Sequence, residues 1–277
     1  MDSIITDFPK SEYYDFIIDN FPWNWGSLNM FKWKHIDDPF RKDDDFYVLQ
    51  DLNEIKALCV GRKYVYNINN MTFNILALMD FVTKEKYRQQ GVISCLSDYV
   101  KNQHPSMHTL GVSSLRLYET VYHKLNCFQK YYTYRFKSVS GIKANTVTDK
   151  LYICNKFNNT SNSLHINKSP EYLDYLISSP KYQKIVFAEY DDLLVELNVN
   201  DDSAQLLDIS EYSMESCFKA VQIASFFSDV VIIDLPEKTD VQNAEQIRIN
   251  CCTSDSLSKY SFGKEVESIW IPLADRK

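Results

Sequence analysis

The sequence predicts an α/β fold, a mixed α+β sheet laid down as two tandem domains of which the second is degenerate. Three observations carry this expectation. Strand-like and helix-like runs alternate through the first half of the chain. A polar turn within Thr83 to Leu96 (TKEKYRQQGVISCL) joins an apolar run to an amphipathic helix. The second half then repeats the order of the first without repeating that turn.

In order along the first half, Ser11 to Asn20 (SEYYDFIIDN) predicts an amphipathic helix with Ser11 as its cap. An aromatic helix follows over Phe31 to Pro39 (FKWKHIDDP). Asp45 to Asp51 and Glu54 to Tyr66 predict two strands around a Leu52-Asn53 turn, and Thr72 to Val82 (TFNILALMDFV) a third, buried one. A helix runs from Gln89, with Val92, Leu96, Tyr99 and Val100 at helical spacing, and ends near His104-Pro105, because proline disfavours helical geometry in the residue before it. A strand over His108 to Val112, a helix over Ser114 to Asn126 and a strand over Phe128 to Val139 complete the first copy.

In the second half, Pro170 to Pro180 is again an aromatic helix that runs into a proline. The hairpin Lys184 to Glu189 and Leu193 to Asn198, turning near Asp191-Asp192, follows it. Ala204 to Ile209, Met214 to Phe227 and Val230 to Leu235 then read as strand, helix and buried strand. The segment Lys143 to Lys168, with its Asn/Ser/Thr cluster at Asn158 to Ser163, contains the expected boundary. We place the domains at 1–145 and 146–277, with a short strand at Lys150 to Cys154.

Length and composition narrow the function classes. A chain of 277 residues with 45% hydrophobic and 24% charged residues builds a substantial core. No apolar run approaches the roughly 18 to 20 residues that cross a bilayer, and the N-terminal residues lack a signal-peptide pattern. The cytoplasm is the expected location. Seven cysteines show no C-x-x-C pair, so neither a metal site nor a disulfide framework is expected. The net charge of −7 argues against nucleic acid as a partner. Residues 1–150 hold 19 Lys+Arg and 17 Asp+Glu, net +2, and the rest hold 11 and 20, net −9. The half containing the polar turn therefore repels a polyanion less.

That turn builds a phosphate cradle. The first N–H groups of a helix lack intrahelical partners and the helix dipole favours an anion there. Gly91 lets a phosphate approach without a Cβ, and Arg88 can supply a charge-assisted contact. Arg88, Gln89, Gln90, Gly91, Val92 and Ile93 thus resemble the Arg/Gln-x-x-Gly-x-Gly/Ala signature of the GCN5-related N-acetyltransferase (GNAT) superfamily, with Ile93 departing from its final small residue. Tyr122-His123-Lys124-Leu125-Asn126 similarly resembles the end of that family's closing helix, with Asn126 in place of glycine at a left-handed cap.

The resemblance implies that acetyl-CoA or another short acyl-CoA is the co-substrate, held also by backbone groups of Met79, Asp80, Phe81 and Val82. It implies Tyr122 as the acid that protonates the departing thiolate, a phenol with a pKa of about 10. For a general base, Asp80, His35 and Glu119 are candidates, and a water-relayed path with no dedicated residue is an equal alternative. Cys95 is expected to pack as a small hydrophobe. The WKH-x-x-x-PF segment is similar to that of tandem GNAT enzymes that N-acylate nucleotide-linked amino sugars in bacterial surface-polysaccharide biosynthesis. A dTDP-3-amino-3,6-dideoxyhexose is then the candidate acceptor, with Trp25, Trp33 and His35 as candidate substrate-binding residues and a homodimer as a conceivable assembly. Rival readings are an aminoglycoside or protein N-acetyltransferase, and a non-catalytic acyl-CoA-binding module.

Overall fold

A computed structural model describes residues 2–21, 26–41, 45–52, 54–68, 71–114, 127–159, 163–241 and 243–253. The chain divides into two compact units, Met1–Tyr64 with Asn74–Gly111, and Val65–Phe73 with Val112 onward.

In the first unit the strands β1 (Asp2–Asp7), β2 (Phe46–Asp51), β3 (Glu54–Ile68), β4 (Met71–Thr83) and β5 (His108–Ser114) are neighbours in that order. β1 and β2, and β2 and β3, pair antiparallel. β4 and β5 pair in parallel, joined by α3 (Val92–Gln103). The period of two sorts the side chains. Tyr47, Leu49, Ala57, Cys59, Leu76 and Leu78 face α3, where Leu96 and Val100 close the core. Phe46, of opposite parity, meets the helices α1 (Ser11–Asn20) and α2 (Leu28–His35) through Tyr13, Phe31 and His35. The sheet is thus a middle layer between helices.

The second unit repeats this succession. β9 (Ile185–Tyr190), β10 (Leu193–Val199) and β11 (Ala204–Ile209) form an antiparallel meander. Helix α6 (Met214–Ala224) crosses from β11 to the parallel strand β12 (Val230–Leu235). β6 (Cys127–Lys137) lies between β12 and β13 (Ala244–Thr253), antiparallel to both. The short β7 (Asn145–Thr146) edges β9, and β8 (His165–Ile166) pairs with Tyr66 and Asn67 of β3. One sheet face packs on α6. The other, through Phe187 and Leu194, packs on α4 (Lys150–Asn158) and α5 (Pro170–Ile177).

Four local expectations are corrected. Ser11 is the first helical residue of α1; Lys10 holds the cap position and makes no side-chain cap bond. The helix expected from Gln89 starts at Val92, because Gln89 (φ 64°) and Gly91 (φ 75°) are left-handed. Lys150 to Cys154 is helical, since Asp149 accepts from the amides of Leu151 and Tyr152 and so caps α4, whose Ile153, Cys154 and Phe157 form its buried stripe. Cys95 is exposed. Strands β1 and β13 were not expected, and the helix expected at 114–126 lies outside the described residues.

Candidate functional site

The chemistry-bearing residues of the first unit gather along β4 and the loop that follows it. β4 pairs with β5 over Ile75–Ala77 against His108–Leu110, and both strands run on beyond that pairing. Within the extension Asp80 takes φ 47°. Left-handed geometry in mid-strand is tolerated by few residue types, Asp and Asn among them. The bend re-aims the backbone of Phe81 and Val82 relative to Met79. Met79 and Val82 bury their side chains and Phe81 is half-buried, so these three offer a ligand backbone groups more readily than side chains.

Asp80 is clamped. Its Oδ1 accepts from Lys34 Nζ at 2.9 Å, and its Oδ2 lies 2.9 Å from the same nitrogen. His35 Nε2 sits 3.0 Å from Oδ2. On the far side of the imidazole, Nδ1 is 3.5 Å from Nη2 of Arg62. A guanidinium only donates, which assigns Nδ1 as acceptor and Nε2 as the protonated nitrogen facing Asp80. Arg62 is itself buried and fully committed. It donates to Asp45 Oδ2 at 2.7 Å, to Asp38 Oδ2 at 2.8 Å and to the Lys34 carbonyl at 2.6 Å. Tyr64 adds a hydroxyl donor to Asp38 at 2.8 Å.

Burial governs the titration here. It pushes His35 down to about 4, against the pull of Asp80. Burial also acts to raise Asp80, but the Lys34 charge and the His35 contact outweigh it and hold the carboxyl well below the usual carboxylate range. The sequence candidates His35 and Asp80, 45 positions apart, are therefore brought into contact as a neutral imidazole and a carboxylate of low basicity. His35 has no solvent-exposed surface and Trp33 retains 8%. The His35 ring packs against Phe31 and Phe46, and the Trp33 side chain is buried as well. Tyr122, Glu119 and Trp25 lie outside the described residues.

The loop after β4 makes a single 3-10 turn at Glu85–Tyr87 and enters α3 through left-handed Gln89 and Gly91. A Cβ at Gly91 would meet nothing within 4 Å. The conformation demands glycine, and the space beside it is open. No side chain caps α3, which leaves its first-turn N–H groups suited to an anion. Arg88 donates to the carbonyls of Thr83 (3.2 Å) and Asn20 (2.7 Å), tying the loop to β4 and to the C-terminus of α1. Gln90 donates to the Lys86 carbonyl at 2.8 Å, while Gln89 is exposed. Glu54 gathers Lys84, Lys86 and the Tyr87 hydroxyl, which together lower its carboxyl to about 2. Ile93, at the departure from the signature, is half-buried. A cavity of about 430 Å³ adjoins Gly91, its walls including Asp2, Ile4, Leu49, Val92, Cys95 and Tyr99.

The corresponding helix of the second unit differs in chemistry. α6 is capped by Ser213, whose hydroxyl accepts from the Ser216 amide at 2.9 Å, and Glu215 adds a negative charge in the first turn. Its dipole is already answered.

Sequence reasoning missed Lys34, Arg62, Asp38 and Asp45. Arg62 carried one signal, an Arg-Lys pair inside the largely apolar run ALCVGRKYVY.

A mixed sheet whose parallel pair β4–β5 is joined through a bent strand end and a glycine-started helix is a fold shared with solved GCN5-related N-acetyltransferases. Solved structures agree. A conserved protein from Enterococcus faecalis, a probable N-acyltransferase, superposes with a TM-score of 0.68 at 11% identity, covering 92% of this chain and 72% of that one. A GCN5-related N-acetyltransferase from Kribbella flavida gives 0.64 at 14% identity, covering 91% and 71%. Saccharomyces cerevisiae N-myristoyltransferase with bound myristoyl-CoA gives 0.57 at 7% identity, covering 92% and 82%. No family model and no curated protein matches the sequence. At these identities the likeness is one of fold.

Proposed function

We propose that the chain is an acyl-CoA-dependent N-acyltransferase whose acceptor is the amine of a nucleotide-linked amino sugar. One observation carries the reading: a single stretch, Met79 to Ile93, holds both the left-handed bend at Asp80 and an uncapped helix N-terminus behind a left-handed glycine. The residues fit the co-substrate, because the open space at Gly91 admits a phosphate where any Cβ would stand. The contrast with the Ser213-capped α6 supports a single CoA site, in the domain 1–145.

Acyl-CoA supplies an activated acyl thioester. The chain's part is to orient it and to stabilise charge. The N–H groups that begin α3 hold the pyrophosphate, and backbone groups of Met79 to Val82 stabilise the carbonyl oxygen as charge develops on it. The amine attacks the thioester carbon directly; a C–N bond forms and the C–S bond breaks. Tyr122 protonates the departing sulfur. The amine's surplus proton leaves through water, since His35 is enclosed and Asp80 is held ionised by Lys34. A dTDP-3-amino-3,6-dideoxyhexose as acceptor, with an acetyl or 3-hydroxybutyryl donor, rests on the WKH-x-x-x-PF segment. With Trp33 and His35 in the core, that segment shapes the acceptor side through its backbone and α2.

The test mixes the protein with acetyl-CoA or 3-hydroxybutyryl-CoA and a panel of dTDP-amino sugars, aminoglycosides and peptides, and follows free thiol. Turnover confined to the amino sugars is expected. Turnover only with the other amines replaces the acceptor, and tight CoA binding without any turnover removes the enzyme reading. Tyr122→Phe should lower kcat by about 10²-fold and leave CoA affinity unchanged; an unaltered kcat takes Tyr122 out of the mechanism.

A further inference from the structure

We infer that Lys34 is a positioning residue: its ammonium, seated across both carboxylate oxygens of Asp80, latches β4 in the left-handed bend that aims the following amides. The inference rests on the reading of β4 as the acyl-CoA strand. An Asp at φ 47° inside a strand is held against its own preference for extended geometry. What holds it is visible in the side chain. The Asp80 carboxylate keeps 8% of its surface, and Lys34 Nζ is within 2.9 Å of each oxygen.

Lys34 is anchored at both ends. Its carbonyl, in the last turn of α2, accepts from buried Arg62 at 2.6 Å, so the helix terminus is fixed to β3 while the side chain reaches β4. His35 completes the clamp from the next position, backed by the same Arg62. Without the ammonium, a nearly enclosed carboxylate loses its cation and turns outward, and the bend relaxes. Relaxing this one left-handed residue to extended geometry reverses the facing of those after it. Phe81, Val82 and Thr83 would then present opposite edges to a ligand.

The design of the test follows from the backbone. Lys34→Met removes the ammonium but keeps the carbonyl contact to Arg62. Asp80→Gly removes the carboxylate but supplies a residue that adopts positive φ freely. Lys34→Met should speed amide hydrogen exchange at Phe81 and Val82 and lower kcat by about 10- to 100-fold, the scale of a small misplacement of reacting groups. The KM for acetyl-CoA should move little, since the pyrophosphate is held elsewhere. Lys34→Arg should restore most of the rate. In the Asp80→Gly background, adding Lys34→Met should change neither exchange nor kcat.

Unchanged exchange in Lys34→Met overturns the latch. So does an undiminished effect of Lys34→Met in the glycine background. Isothermal titration of the wild-type protein with CoA and acetyl-CoA separates the two levels: if neither binds, the acyl-CoA reading fails, and the exchange measurement still decides the latch.

Discussion

At the scale of single residues, the first unit is organised by charges that a one-dimensional reading scatters. His35 and Asp80 stood out in the sequence as isolated candidates; Lys34 and Arg62, which give that pair its geometry, did not. The reason is physical. A local pattern reveals helix faces and strand parity, whereas an ion network is assembled by the sheet from positions far apart. His35 yields a signed prediction. Its ordinary value is 6.5 and burial pushes it down to about 4, so between those values the unfolded chain takes up a proton that the folded chain does not. Stability should therefore fall as pH is lowered from about 6.5 to about 4. Urea unfolding across this window should show the slope in the wild type and a flatter one in His35→Phe. The Asp80 contribution has a separate window, since a depressed carboxyl is lost only below its ordinary 3.8.

At the scale of elements, most strands and helices were legible to within a few residues, because apolar alternation on β2–β4 and β9–β12 and the Leu96/Val100 spacing of α3 report burial directly. The misreadings have particular causes. Tyr152-Ile153-Cys154 looks extended by composition, yet the Asp149 cap sets a helix. β1 is short, and its pairing with β2 links positions 39 to 49 apart. The docking of α3 was also hidden, because it depends on an absence of atoms. A Cβ at Gly61 would lie 2.9 Å from both Tyr47 Cε2 and Val100 Cγ1. Gly61→Ala should destabilise by about 1–3 kcal/mol through overpacking of α3 on β3. Gly91→Ala should lose about 1–2 kcal/mol from its left-handed φ alone. Denaturant midpoints will separate the two: a Gly61→Ala protein as stable as wild type would mean that α3 shifts at no cost.

At the scale of the whole molecule, the two units share a succession of elements and also a habit of burying one cation with two carboxylates. In the second unit Lys168 lies 3.0 Å from Glu196 and 2.7 Å from Asp208, enclosed beneath α4 and over the Phe157 ring. Arg62 with Asp38 and Asp45 is the counterpart in the first. Removing the cation from either set leaves uncompensated buried charge, so Arg62→Met and Lys168→Met should each destabilise by about 3–5 kcal/mol. The effects should add, because the two sets share no partner; hydrogen exchange should place each loss in its own unit. The repeat was legible as an echo of order, but the ends of the compact units were not. β3 leaves the first unit at Tyr64, and the tip of the β3–β4 hairpin belongs to the second, where Tyr66 and Asn67 pair with Ile166 and His165. This interleaving imposes a timetable on biosynthesis. At about 5–20 residues per second, the roughly 100 residues between the tip and its partner take on the order of 5–20 s to emerge, so the pairing of the tip with β8 has to wait until the chain through Ile166 has left the ribosome.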